Sequence, residues 1–551
     1  MDARLHHLLE VFAHDGGRGA SHAPHGDSHG GHHGGHHDDH GSEEREPVDP
    51  TGVIVVNDLV SRAASVYEVV RNAIEYSEAH LLRRNAIRRI LRRRLFADED
   101  PTSVARDLLH ELIWARYLPN KQIPIGRIGE VASVLQKYLV LFAAIEEHRL
   151  SPRTSAWLLD LISTEMEYLL TPPTKEEAIV LFAYHTLREH TEWKGKLPIA
   201  EEEKDIQLYV GVHRTLLKSN QATLRYRIFL LFYPAWGKAS PELISEVAGG
   251  LEKVTEAVDA HVVHPMGETM TRRIRQKMVM FKILHDVIET AGHDAASVLN
   301  DQAALAEAVK KAATRRYKAF HARLWRLVLR AVFFLFCTKL VLAFIVELPY
   351  QLFVVQEGNY VPLLVNVLFH PFLLAVLGLT GTIPEKKNTK LLVEGVRTLV
   401  FGGEGMKTTI TISKPWAHGV ANVAFNLMYA ATFLLSFGLI AALLVSFEFH
   451  AISIVLFLFF LSLVAFFGIS IRAARKELLI VPGKGGLLSV VGDFFTLPII
   501  RAGRWISMHA PRVNVFLFFL DFIVEAPFKL VIQLVEGWLA FMKEKKEEIG
   551  A

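Results

Sequence analysis

Among its 551 residues the sequence holds a single cysteine, Cys337. No intramolecular disulfide can form, and zinc centres built on cysteine thiolates are excluded. An apolar core is missing from the start of the chain. Met1 to Ala13 has only short apolar stretches, so no cleavable signal is expected and the N-terminal part should stay where it is made. Catalytic signatures are scarce. There is no His-Glu-x-x-His. The segment from Gly402 to Thr408 fails as a phosphate loop, because Met406 stands where the glycine before lysine is required. His261-x-x-His264 is followed by Pro265 and lacks a Glu-x-x-His partner for a two-metal centre. The expectation is a protein that is not an enzyme and has no resident cofactor.

What the sequence does contain is unevenly placed. Of 34 phenylalanines, 26 lie between Phe333 and Phe541, whereas the N-terminal part is rich in Glu, Arg and Lys. A water-soluble region followed by a lipid-soluble one carries this asymmetry. Residues 1–50 form a His/Gly-rich tail that buries too little apolar surface to offset its chain entropy, so disorder is expected. Residues 51–325 show helical periodicity with legible starts. Asp100-Pro101, Ser151-Pro152 and Ser240-Pro241 each place a capping side chain before a proline at the first helical position. Thr174 and Glu177 have the spacing of a capping box. No two-residue alternation stands out there, so the reading is an all-α cytoplasmic domain followed by a polytopic helical membrane domain.

Apolar runs at 331–355, 360–381, 420–447 and 451–471 each approach the ~20 residues that cross a hydrocarbon core. They group as hairpins over 326–381 and 419–472. A 382–418 loop between them has a short helix and a Thr-Ile-Thr-Ile segment suited to a small strand pair. Lys and Arg flank the runs at 315–330, 386–414 and 472–484 but are absent from 356–359 and 448–450. The positive-inside rule therefore places the N-terminal domain and the loop in the cytoplasm of a cell-membrane protein. Residues 473–551 read as interfacial or re-entrant and amphipathic helices.

Four groups of residues could carry function. Lys339, Glu347 and His370 are ionisable groups inside apolar runs, with Asn366 one turn before His370. Asp521, Glu525, Lys529 and Glu536, with Gln533, share about 120° of one helix face. That stripe suits a substrate path, the wet side of a surface helix, or a docking face. Arg83, Arg84, Arg88, Arg89, Arg92, Arg93 and Arg94 form a basic amphipathic helix fit for anionic lipid, an acidic protein partner or an acidic neighbouring helix. Interleaved aromatics are lacking, so no nucleic acid is expected. His32, His33, His36, His37 and His40 give the tail loose affinity for Zn²⁺ or Ni²⁺. Such tracts resemble the buffering loops of some metal transporters, but His370 has no ligand partner at i±3 or i±4. Two functions stay open: a membrane-anchored helical adaptor, or an oligomeric channel or transporter whose path is lined by the intramembrane ionisables.

Overall fold

The computed structural model describes residues 3–19, 52–56, 79–95, 100–194, 200–356, 359–379, 385–402, 408–411, 420–475, 478–480 and 487–509. In chain order the helices are α1 (Ala3–Gly19), α2 (Ala79–Arg94), α3 (Pro101–Trp114), α4 (Arg127–Glu147), α5 (Pro152–Leu170), α6 (Thr174–His190) and α7 (Glu201–Leu216). Then come α8 (Gln221–Phe232), α9 (Pro241–Gly249), α10 (Leu251–Val262), α11 (Pro265–Ala291), α12 (Ala295–Asn300) and α13 (Gln302–Leu342). The last six are α14 (Leu348–Tyr350), α15 (Val361–Leu379), α16 (Glu385–Phe401), α17 (Val420–Ser446), α18 (Ala451–Arg475) and α19 (Leu487–His509). Among the described residues five helical stretches are long and apolar enough to cross a membrane, as befits a membrane protein: Arg127–Glu147, Gln302–Val354, Val361–Leu379, Asn426–Ser446 and Ala451–Ile471.

The helix starts follow local chemistry. Asp100 accepts from the amides of Thr102 (3.1 Å) and Ser103 (3.3 Å), Ser151 from Arg153 (3.2 Å) and Ser240 from Leu243 (3.3 Å). Each cap satisfies donors that have no partner inside the helix. At α6 the outcome differs. Thr174 is the first helical residue and the amide of Glu177 bonds the Pro173 carbonyl (2.9 Å), while the Glu177 carboxylate pairs with Arg227. An ion pair thus claims the side chain that a capping box would need.

The contacts divide the chain into two units that do not follow chain order. One unit draws on 17–177 and 201–268. Its core is one contiguous cluster that includes Leu108, Leu112, Leu135, Trp157, Leu161, Phe229 and Trp236. Inside it, Lys137 of α4 pairs with Glu165 of α5, and Glu165 also accepts from Tyr138 (2.8 Å) and Trp236 Nε1 (2.9 Å). A buried charge with every polar contact filled avoids the penalty of an isolated ion.

The other unit draws on 1–16, 178–200 and 269–512. Its spine is α13, a continuous helix of 41 residues that starts charged and ends apolar. At the charged end Arg316 grips Asp286 of α11 through both carboxylate oxygens. Tyr317 receives a 2.8 Å bond from Asn388 of α16, whose amide also donates to Leu478 O (2.7 Å). The strand expected near 409–412 exists as β2 (Thr408–Thr411). Its partner is not in the same loop. It is β1 (Thr191–Lys194), parallel, with Trp193 opposite Ile410. The described chain is otherwise helical, and what differs from the expected strand pair is the partner, which lies far back in the sequence.

Beyond α18 the chain returns to the apolar helices. A Cβ on Gly503 of α19 would lie 2.0 Å from the Ser462 carbonyl of α18, so the two backbones touch there and only glycine allows it. Arg501 stacks over Tyr429 of α17 with 4.8 Å to the ring centroid. Helix α19 is therefore docked on the apolar bundle.

Candidate functional site

In water, an apolar helix tolerates a lysine by pointing it outward. Lys339 does the reverse and is 1% exposed, Glu347 2%, and Asn366 and His370 are fully buried. Eight residues of ideal helix would set Lys339 and Glu347 about 80° apart around the axis. A π-helical turn at Ala343–Glu347 intervenes, and its wider winding turns Glu347 back toward the face that carries Lys339. Glu347 is thereby buried beside Lys339.

Asn366 of α15 joins the two charges. Lys339 Nζ donates to its Oδ1 (2.5 Å), and its Nδ2 donates to both carboxylate oxygens of Glu347 (2.8 Å each). A primary amide suits this place, since it offers an acceptor to a cation and donors to an anion. From α18, Ser453 Oγ donates to Glu347 Oε2 (3.3 Å) and the Ser453 carbonyl lies 3.4 Å from Asn366 Nδ2. The Phe460 ring stands 4.5 Å from Lys339 Nζ, covering the ammonium with a π face. His370 sits one turn along, with Nδ1 3.1 Å from the Asn366 carbonyl and Nε2 2.9 Å from the Phe457 carbonyl. Pro371 follows it inside α15 without ending the helix. Three helices are thereby fastened through one polar knot in apolar surroundings, where each bond replaces an unmet polar group.

Of the residues singled out from the sequence, Lys339, Glu347 and His370 come together here. Asp521, Glu525, Lys529 and Glu536 lie outside the described residues, as do His32, His33, His36, His37 and His40. Ser453 and Phe460 gave no signal in the sequence, because serine and phenylalanine are ordinary in such helices. Asn366 did: an amide one turn from a buried histidine is a hydrogen-bonding hub in waiting.

The arginines of α2 are largely committed inside their own unit. Arg83 grips Glu167 of α5 (2.6 and 2.7 Å), and Arg94 pairs with Asp107 and Glu111 of α3. Arg93 reaches Glu111 (2.7 Å). Asp160 gathers Arg84 (3.5 Å), Arg88 (2.9 Å) and Arg225 (2.8 Å). Arg89 is half-buried and Arg92 is exposed. The acidic neighbours are thus helices of the same chain. Burial pushes the Glu167 carboxyl up from its usual range while Arg83 pulls it down. Replacing Arg83 with Gln should strand that carboxylate and destabilise the unit by about 2–4 kcal/mol. Arg92→Gln should change stability by less than about 0.5 kcal/mol, as surface changes do. Hydrogen exchange over α2 and α5 reads the difference, and equal protection in both variants would refute it.

Two groups outside the apolar helices combine histidines with carboxylates, the residue types of a metal site. His285, Asp286 and Glu289 bring ligand atoms within 4.8 Å of one another, but Arg316 already occupies both oxygens of Asp286. His261 lies 2.8 Å and His264 3.8 Å from Glu203 of α7, while His264 Nδ1 accepts from the Met266 amide (3.3 Å). Neither arrangement leaves a free ligand set. No family model matches this chain, and no curated protein or solved structure is detectably similar to it.

Proposed function

We propose that this protein is a membrane-anchored helical scaffold, and that the knot around Asn366 is the lock that holds its anchor together. In this reading four of the five apolar stretches cross the bilayer as two hairpins, and α4 is a core helix of the polar unit. Val131, Leu135, Tyr138 and Leu141 of α4 are buried in that core beside the Lys137–Glu165 pair, which supports the division. Lysine and arginine at the ends of the apolar runs favour a cytoplasmic position for the polar helices. The observation that carries the scaffold reading is the closure of the intramembrane charges. Lys339 and Glu347 spend their bonds on Asn366, Ser453 and the Phe460 ring, which is cohesion between helices and leaves, among the described residues of this bundle, no row of ionisable groups facing a path. Helix α13 then acts as a strut, carrying the position of its charged end into the anchor.

A transporter is the competing reading. It draws on His370, whose ring nitrogens both face carbonyl oxygens although a neutral imidazole has only one N–H to give. Flux separates the two. Full-length protein in liposomes loaded with a pH-sensitive dye, under potassium and proton gradients, should leak no faster than protein-free vesicles. A protein-dependent flux abolished by Glu347→Gln would overturn the scaffold. The strut has its own check. Spin labels at Lys311 and Phe333 in a Cys337→Ser background, 22 residues apart, should give one narrow distance near 33 Å, from about 1.5 Å per residue.

A further inference from the structure

In the unit built from 17–177 and 201–268, an open cleft of about 480 Å³ is lined by Arg214 of α7, Ser219, Gln221 of α8, and His264 and Glu268 at the start of α11. Leu224, Val262, Val263 and Pro265 supply its apolar wall. That volume suits a small molecule, and the lining combines an apolar wall with convergent polar groups, as ligand sites do.

Arg214 is the unusual member. Its Nη2 donates to the Val262 carbonyl (2.6 Å), which fixes the guanidinium in place. Nη1 lies so close to the backbone of α11 that a Cβ on Gly267 would be 2.6 Å away. The cation is thus wedged against the first turn of a 27-residue helix, where the backbone dipoles are themselves positive. No carboxylate lies within 4.0 Å of Arg214 among the described residues. Burial pushes the guanidinium below its usual range, and Glu268, across the same cleft, pulls it back only through space. Two other half-buried arginines of this unit are answered by acids, Arg225 by Asp160 and Asp259 and Arg83 by Glu167. Here a fixed cation and an exposed anion line one cleft without meeting, with an apolar wall beside them.

We infer that this cleft binds a small zwitterion, an α-amino acid with an apolar side chain, its carboxylate on Arg214 and its ammonium toward Glu268. A lone anion would satisfy Arg214 but would be repelled by Glu268. A lone cation would meet the reverse. The two charged groups of an amino acid are attached to one carbon, so one ligand answers both, and its side chain lies against the exposed Val263 and Pro265. Ser219, Gln221 and His264 add hydrogen-bonding groups around the carboxylate. The site is independent of the scaffold reading and would add a small-molecule input to it.

The experiment uses full-length protein in nanodiscs and calorimetric titration with three probes: leucine, 4-methylpentanoate, which lacks the amine, and isopentylamine, which lacks the carboxylate. Leucine should bind saturably, and each singly charged analogue at least tenfold more weakly. Arg214→Gln should abolish binding of leucine and of 4-methylpentanoate. Glu268→Gln should bring leucine down to the level of 4-methylpentanoate while leaving that analogue unweakened. Because Arg214 also ties down Val262, the exposed Glu268 gives a variant that keeps the fold. Absence of saturable leucine binding, equal binding of leucine and 4-methylpentanoate, or leucine binding unaltered by Glu268→Gln would each overturn the assignment.

Discussion

Replacing Lys339 with methionine should destabilise the apolar helix bundle by about 3–5 kcal/mol, the range seen when one partner of a buried ion pair is removed. Methionine fills a similar volume and keeps contact with the Phe460 ring, so little of the loss comes from packing. The loss comes from Glu347, whose carboxylate keeps Asn366 Nδ2 and Ser453 Oγ but no longer has a cation within reach. Glu347→Gln should cost a comparable amount, since it leaves the ammonium uncompensated. The double variant should recover a large part of the sum, because replacing both charges removes the imbalance that each single change creates. Thermal unfolding in detergent, followed by reactivity of Cys337, measures all three. Additive losses would mean that the knot does not couple the two charges.

A second large effect concerns acid and the polar unit. His213 of α7 is fully buried, its Nε2 finds no partner, and its Nδ1 lies 3.4 Å from Ser219 Oγ. Burial, aided by the Arg227 cation, pushes its pKa from 6.5 down to about 3. The sign follows from proton counting. Between those two values the unfolded ring is protonated and the folded one is not, so the unfolded state binds more protons and stability falls as pH falls. The contribution is fully present above about pH 6.5 and is lost progressively toward about pH 3, reaching about 5 kcal/mol at about 1.4 kcal/mol per pKa unit. In His213→Leu this part of the acid sensitivity should vanish. Hydrogen exchange over α7 and α8, corrected for the intrinsic rate at each pH, should show protection that falls more steeply from pH 6.5 to 4 in the natural protein than in the variant. Parallel slopes would show that His213 is not the group responsible.

Both effects arise at residues whose type is visible in the sequence and whose setting is not. Lysine, glutamate and histidine inside apolar runs announce a polar knot, since a charge at that depth requires company. Which company is a matter of meeting. Ser453 reaches Glu347 across 106 residues, and Phe457 reaches His370 across 87. A π-helical turn, which has no sequence signature of its own, decides the face that Glu347 presents. His213, by contrast, stands between Val212 and Arg214, where an apolar and a charged neighbour leave its side undecided until the inner face of α7 is set by folding.

By itself the sequence determined what is local. Caps at Asp100, Ser151 and Ser240 set helix starts, because a side-chain oxygen two or three residues before an orphan amide needs nothing distant to bond it. Apolar runs of sufficient length set the membrane-length helices, because lipid selects on composition. The tertiary structure decided everything that depends on partners far along the chain. It turned the arginines of α2 inward onto Asp160, Glu167 and Glu111, where the amphipathic pattern equally suited a lipid surface. It paired β2 with β1 across more than 200 residues, and it laid α19 against α18 at Gly503. The opening asymmetry, polar residues first and apolar ones after, survives as a description of composition. The two units do not respect it, because contact energy is earned by surfaces that meet and not by position in the chain.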